Sequence, residues 1–118
     1  MSEIGDFIKT RRQVLKKSQQ DVATELTQFG MRYSDSSVSA WENGSNVPLQ
    51  DTDFIRKLAT VLRTTVAELY KAAGVLPQSA EFRRDVLVSM IENMNDKELA
   101  ELEDFAEFLM TRKQRNDN

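Results

Sequence analysis

The sequence of 118 residues contains no cysteine and no histidine, and it has only four glycines and two prolines. Without cysteine and histidine a chain has no disulfide, no Cys or His zinc site, no thiol nucleophile and no histidine-based triad. Its carboxylates are scattered along predicted helices, and they form no EF-hand; Walker and GxGxxG loops are also absent. We therefore expect no enzymatic activity, no metal and no cofactor.

Long apolar runs are also missing. No stretch approaches the roughly 18 apolar residues that a membrane span needs, and no basic segment followed by an apolar stretch opens the chain. Apolar residues make up 40% and charged residues 30% of the sequence, which is typical of a helix-rich globular protein. The expectation is an all-α protein in the cytoplasm, with no membrane partner.

The formal net charge of −3 is unevenly distributed. Residues 1–75 carry 10 Lys and Arg against 9 Asp and Glu, whereas residues 76–118 carry 6 against 10. A cluster of positive side chains near the N-terminus can lie against DNA phosphates, but it can equally be an ordinary solvated helix face. The cluster consists of Lys9, Arg11, Arg12, Lys16 and Lys17.

Apolar residues with a period near 3.6 predict five helices within residues 1–75. The first covers about residues 3–16, the second begins at Gln19, and the third, short and serine-rich, covers residues 34–43. Capping and breaking residues mark the limits of the helices. They are Ser18, Gly30, Ser34, Asn43, Gly44, Pro48, which opens the fourth stretch, Thr65 and Gly74.

The C-terminal third predicts a short linker over residues 76–78, a helical hairpin over 79–113 and a polar tail over 114–118. Ser79 caps the first helix of the hairpin, and Asn95 with Glu98 forms a capping box for the second. The hairpin is too small to bury both of its apolar stripes, so it either contacts a partner or packs back onto the preceding domain. The expected oligomerisation residues are Phe82, Val86, Leu87, Met90, Leu99, Leu102, Phe105 and Leu109.

The third predicted helix has an apolar and a polar face. Val38 and Trp41 are three residues apart and share the face that would turn inward. Serine is a mediocre helix former, so the serines on the opposite face need a reason. One reason is that short polar side chains let a helix approach base edges closely. The alternative to a DNA-reading helix is a serine-rich surface loop.

From about Ile4 to Val75 the sequence resembles the Cro/C1-type (XRE) helix-turn-helix family, whose domain has five helices and places the third in the DNA major groove. The matching positions are Arg12, residues 18–23, residues 34–44, Asn46, Pro48, residues 57–59 and residues 65–69. Residues 101–109 and the basic end after them resemble the oligomerisation tail of short Bacillus-type biofilm repressors.

This resemblance implies a sequence-specific transcriptional regulator, a homodimeric repressor that reads an inverted repeat in double-stranded DNA. Arg12 and Glu42 would form a partly buried structural ion pair. Base contacts would come from Asp35, Ser36, Ser39 and Ala40. Phosphate contacts would come from Gln19, Arg32, Tyr33, Asn43, Ser45 and Asn46.

Two features depart from the family's pattern. Eleven residues lead from Ala23 to Ser34, more than the family usually has, so we expect a longer second helix and an extended turn over residues 27–33. In that turn Arg32 and Tyr33 either reach phosphate or simply pack. Asp35 stands where the family often has a neutral polar residue, and an acid beside DNA is costly unless it accepts a hydrogen bond from cytosine.

Two other functions compete with a repressor. One is an antitoxin or anti-repressor adaptor, whose C-terminal hairpin binds another protein. The other is an enzyme with unorthodox carboxylate chemistry, which would need a deep pocket that gathers several acids.

Overall fold

The computed structural model describes residues 3–117, with side chains as far as residue 114. This part of the chain holds seven helices and no strand, so the protein is all-helical, as the sequence predicts. The helices are α1 (Glu3–Val14), α2 (Gln19–Gln28), α3 (Asp35–Glu42), α4 (Thr52–Val61), α5 (Val66–Ala73), α6 (Ala80–Glu92) and α7 (Asp96–Asp117).

Side-chain caps determine where the helices begin. The Ser18 hydroxyl accepts a hydrogen bond from the Asp21 N–H, and the Asp21 carboxylate accepts one from the Ser18 N–H. These bonds satisfy backbone donors that a helix leaves unpaired, and the bond from the Ser18 N–H lowers the pKa of the Asp21 carboxyl. The other N-caps of this kind are Ser34, Asp51, Thr65 and Ser79. All but Asp51 are starts that the sequence predicts.

Three helix limits differ from the prediction, and one is confirmed. α7 continues to Asp117, past residue 113, where the predicted hairpin ends. α1 ends at Val14, because Lys16 adopts a left-handed φ of 57°. Pro48 does not start α4: it lies in a turn in which the Asp51 N–H donates to the Pro48 carbonyl, and Asp51 then caps the helix. Gly74 ends α5 as predicted, in a left-handed conformation that glycine adopts without steric cost.

The first five helices share one apolar core. Val38 and Trp41 of α3 are 0% and 2% exposed, which confirms the predicted inward face. The Trp41 ring contacts two other rings edge to face. Its centroid lies 4.8 Å from that of Tyr33 and 5.0 Å from that of Phe54. Each large apolar side chain buried in this way stabilises the fold by about 1.5–3 kcal/mol. Other fully buried members are Ile8, Val22, Leu26, Ile55, Leu58, Leu62 and Leu69.

α1 and the C-terminal end of α3 touch at Gly5, which is buried. A β-carbon at this position would lie 2.5 Å from the Glu42 carbonyl oxygen and 2.8 Å from the Trp41 carbonyl oxygen. Because both of these atoms belong to the backbone, a side chain at position 5 would force the two helices apart. Glycine therefore sets the distance between α1 and α3.

α6 packs on the core of the first five helices. Phe82 and Val86 are 5% and 1% exposed, and the Phe82 ring lies 5.9 Å from that of Tyr70 in an edge-to-face contact. The Arg56 guanidinium lies 4.7 Å from the centre of the Phe82 ring. The sequence assigns Phe82 and Val86 to an interface between copies of the chain. For these two residues the assignment is wrong, because both side chains are already covered by their own chain.

The segment predicted as a linker, residues 76–78, is attached to the loop between α3 and α4. Pro77 is buried, and the Gln78 N–H donates to the side chain of Gln50 at 2.8 Å. α6 is therefore held to the first five helices by the linker as well as by its own apolar face.

α7 leaves this core. Its first turn has the predicted capping box, in which Asn95 and Glu98 exchange hydrogen bonds of 2.8 and 3.2 Å between side chain and backbone. No other described helix packs extensively along α7, and Phe105, Phe108 and Met110 are 58–60% exposed. The predicted hairpin thus has its turn, but its two helices are not packed along their length. Within residues 3–117 no helix has the length and hydropathy to cross a bilayer.

Replacement of Gly5 by alanine should destabilise the protein by about 1–3 kcal/mol, since the added methyl group meets backbone at both carbonyls. Thermal or urea unfolding measures the loss. Thr10→Ala, on the exposed face of the same helix, is the matched control and should change stability by less than about 0.5 kcal/mol. Equal stability of the Gly5→Ala protein and the wild type would contradict the close contact.

Candidate nucleic-acid interface

α2 and α3 pack against each other and are joined by residues 29–34. α2 has ten residues and ends at Gln28, where Gly30 takes a φ of 88° and the Met31 N–H returns to the Leu26 carbonyl at 3.0 Å. Ser34 then caps α3 and accepts a bond from the Ser37 N–H. Residues 27 and 28 belong to α2, so the connection that the sequence places at residues 27–33 covers residues 29–34.

The outer face of α3 carries the four side chains that the sequence assigns to base contacts. Asp35 and Ser36, in the first turn, are exposed, and Ser39 and Ala40, one turn later, are half-buried. The exposed side chains are all short, so the backbone of α3 lies close to the protein surface. Neighbouring helices shield neither Ser36 nor the exposed half of Ser39, so this face of α3 can be reached by a large partner.

The segment after α3 holds three of the predicted phosphate contacts. Asn43 is the C-cap of α3, and the Ser45 N–H donates to the Ala40 carbonyl at 2.8 Å, which folds the chain back under the helix end. Asn46 adopts a left-handed φ of 57°. The side chains of Asn43, Ser45 and Asn46 are all exposed, so the backbone turn directs three neutral polar groups to the same end of α3.

Arg32 and Tyr33, which the sequence leaves between two roles, have different surroundings. The Tyr33 ring is half-buried and lies 4.8 Å from the Trp41 ring and 5.3 Å from the Phe54 ring. Burial raises the pKa of the Tyr33 hydroxyl. Arg32 is exposed. The Tyr33 ring thus packs against the core, whereas Arg32 is available at the surface beside the start of α3.

An ion pair joins α1 to the end of α3. The Arg12 Nε donates to Glu42 Oε2 at 2.7 Å and the Arg12 Nη2 to Glu42 Oε1 at 2.9 Å, with the two side chains 14% and 5% exposed. Hydrogen bonding to Glu42 raises the pKa of the Arg12 guanidinium, against the opposing effect of burial. The pair is the fork-shaped, charge-assisted interaction predicted for these two residues.

Gln19 completes this network from α2. Its side-chain amide donates to Glu42 Oε1 at 3.3 Å, and it is half-buried at the N-terminus of the helix. Glu42 consequently receives bonds from two other helices. Gln19 thus braces α3, and the phosphate contact that the resemblance implies for it stays a prediction.

The basic cluster of α1 is largely used inside the molecule, which the sequence does not reveal. Arg11 donates to the carbonyls of Leu62 and Arg63 at 2.8–3.2 Å, and Lys17 donates to the Val61 carbonyl at 2.8 Å. These carbonyls end α4, where positive charge offsets the negative end of the helix dipole. With Arg12 held by Glu42, the exposed members of the cluster are Lys9 and Lys16.

The described surface has a depression in which two acidic side chains lie near a cation. This depression, of about 430 Å³, lies between α4 and α6, and its acids are Glu81 and Asp85, the latter 3.5 Å from Arg56. Among residues 3–117 no three acidic side chains gather in a way that could hold a metal ion.

Fold and surface together define an all-helical protein with a short, polar, exposed helix braced on an apolar core. The chain matches no protein-family model, no curated protein and no solved structure. What this surface does must therefore be inferred from its own geometry and chemistry.

Replacement of Arg12 by alanine should reduce stability by about 3 kcal/mol, because it leaves the Glu42 carboxylate buried without its charged partner. Urea unfolding measures the loss. Lys57→Ala, which removes an exposed pair with Asp53 within α4, is the matched control and should cost under about 1 kcal/mol. If both variants lost the same small amount, α3 would not depend on the ion pair.

Proposed function

We propose that this protein is a sequence-specific regulator that binds double-stranded DNA through a Cro/C1-type helix-turn-helix formed by α2 and α3. One observation carries the proposal. Val38 and Trp41 anchor α3 in the core, and Asp35, Ser36 and Ser39, all with short side chains, line its outer face, the arrangement by which a helix-turn-helix places its second helix in a major groove. A serine-rich loop, the alternative on composition, is not what residues 35–42 form.

Base recognition would come from the outer face of α3. Serine hydroxyls both donate and accept, so Ser36 and Ser39 can bond to any base edge. Asp35 accepts only, so it would select the N4 amino group of cytosine. Ala40, small and half-buried, would make apolar contact with a thymine methyl group.

Phosphate contacts would position α3 in the groove. Gln19 at the N-terminus of α2 and the exposed Asn43, Ser45 and Asn46 supply neutral donors that flank α3. Arg32 supplies a positive charge next to them. The Tyr33 ring packs against the core, so only its hydroxyl would be left for the predicted phosphate contact. Because Arg32 is the only cation in this predicted set, base contacts and neutral donors would carry more of the affinity than charge neutralisation does.

The regulator would act as a homodimer that represses transcription by occupying an inverted repeat. Two copies would present two α3 helices to major-groove sites one helical turn apart, about 34 Å. The surface between copies would use the apolar side chains of α6 and α7 that their own chain leaves partly or fully exposed, without Phe82 and Val86. These are Leu87, Met90, Leu99, Leu102, Phe105 and Leu109.

A second candidate is an adaptor or antitoxin, whose C-terminal helices bind a different protein. The observation that favours it is the same exposed apolar surface on α7, since Phe105 and Phe108 have no partner helix among the described residues. The two candidates differ in the purified protein: a repressor dimer forms alone, and an adaptor stays monomeric until its partner is added. Light scattering at micromolar concentration separates them.

Selection of bound duplexes from a random DNA pool should yield an inverted repeat with half-sites about one helical turn apart. Fluorescence anisotropy on the selected duplex should show affinity falling with salt, with a log–log slope of about −0.9 for each phosphate neutralised. A scrambled duplex of the same composition is the control. Equal affinity for the two duplexes at every salt concentration would refute sequence-specific binding.

Ser39→Arg should change the preferred base at the position that α3 reads, and Ser36→Glu should weaken or abolish operator binding. Both side chains reach solvent, so the melting temperature should stay within a few degrees of wild type. Thr60→Arg, which adds the same charge at an exposed position of α4, is the matched control and should retain the wild-type preference. A large drop in melting temperature in both serine variants would mean that this face of α3 is needed for folding and is not a binding surface.

A further inference from the structure

α7 presents an apolar seam with the spacing of a coiled coil. Leu99, Leu102, Ala106 and Leu109 follow one another at intervals of three and four residues, and so lie on one face of the helix. The three leucines are half-exposed and Ala106 is exposed. No other described helix packs extensively along this face.

The charge of α7 reverses along its length. Residues 96–107 contain six acids and one lysine, whereas residues 108–117 contain three basic residues and one acid. Two copies of the helix paired in parallel would place the acidic parts side by side. An antiparallel pair would instead place residues 96–100 of each helix beside residues 108–112 of the other, so that Glu98 faces Arg112 at both ends. Residues 101–107 would face the same segment of the other copy, but Glu101, Asp104 and Glu107 lie on the side of the helix away from the seam. Charge complementarity at the two ends therefore favours a second copy of the chain as the partner, in the antiparallel direction.

We infer that α7 pairs with α7 of a second copy as an antiparallel two-stranded coiled coil, whose two-fold axis passes near Asp104. In this register Leu99 faces Leu109 of the other copy and Leu102 faces Ala106. The four layers are then all apolar, and each leucine at one end of the seam meets a leucine at the other. The inference rests on the proposed homodimer and specifies how it is built.

The positions beside the seam favour the same register. Glu98 meets Arg112 of the second copy at both ends of the pair, and the two Phe105 rings meet at the axis. Glu103 faces its own counterpart, but it lies at the exposed edge where water screens the repulsion. A parallel pair would bring Glu98 against Glu103 and stack Lys113 on Lys113 inside the seam, which opposes that arrangement.

This register separates the two DNA-reading units. The two Asp96 residues, where α7 leaves each core, would lie about 24 Å apart along the paired helices, at a rise of about 1.5 Å per residue. A parallel pair would bring them side by side. The antiparallel pair therefore holds the two cores at opposite ends of one short rod, on the scale of the spacing between half-sites.

Single-cysteine variants test the register without background, because the chain has no cysteine of its own. The reagent is a bismaleimide that spans about 10 Å, the separation of two paired helices. Phe105→Cys should cross-link to itself. Glu98→Cys and Arg112→Cys should not do so alone, since along the rod the two copies of residue 98 are about 18 Å apart and the two copies of residue 112 about 24 Å apart. The two variants co-expressed should cross-link to each other.

Thr111→Cys, on the side of α7 away from the seam, is the control for random collision and should stay unlinked. Self-linking of Glu98→Cys would show a parallel pair and overturn the inference. So would a monomeric mass with no cross-link at any position, which is also the outcome if α7 serves a different protein. Because no DNA is present, a selected operator without a cross-linked dimer refutes only the pairing. A cross-linked dimer that selects no DNA refutes only the proposed function.

Discussion

The contact between α1 and the end of α3 is the constraint on which the rest of the structure depends. Gly5 lets the two helices touch, and the Arg12–Glu42 pair beside it prevents them from sliding. Gln19 extends the same network to α2. A short helix of eight residues has little stability of its own, so its direction comes from these contacts and from the buried face of Trp41. Whatever α3 presents to solvent is presented in one orientation.

Local signals in the sequence predict much of this fold, because helix caps and apolar periodicity act over a few residues. Ser18, Ser34, Thr65 and Ser79 begin helices as predicted, and Gly74 ends one. Contacts between distant segments escape such reasoning. Arg11 and Lys17 bond to carbonyls at the end of α4, at sequence separations of 44–52 residues, and no local pattern distinguishes them from residues of an exposed basic face. Tyr33 is a second example, because its position in the sequence does not show that its ring packs against the ring of Phe54.

A stripe of apolar residues shows which face of a helix is covered, but it does not show what covers that face. Phe82 and Leu87 belong to the same helix and are equally apolar, yet one is buried against Tyr70 and the other is 45% exposed. The sequence could not separate them, because a partner within the chain and a partner outside it select the same residue types. The exposure of Asp35 and Ser36 on α3 is easier to predict, because Val38 and Trp41 anchor the opposite face. The role that the resemblance gives these residues stays a prediction.

The attachment of α6 to the core has a consequence for how such a protein would measure DNA. Pro77 and Phe82 are buried, and Gln78 is tied to Gln50, so no slack segment separates α6 from the core that holds α3, the proposed reading helix. A dimer with flexible tethers tolerates operators of several spacings. In a dimer made of stiff arms, the permitted distance between half-sites is fixed by helix length, and one added base pair would turn the second half-site about 34° out of phase with its reader.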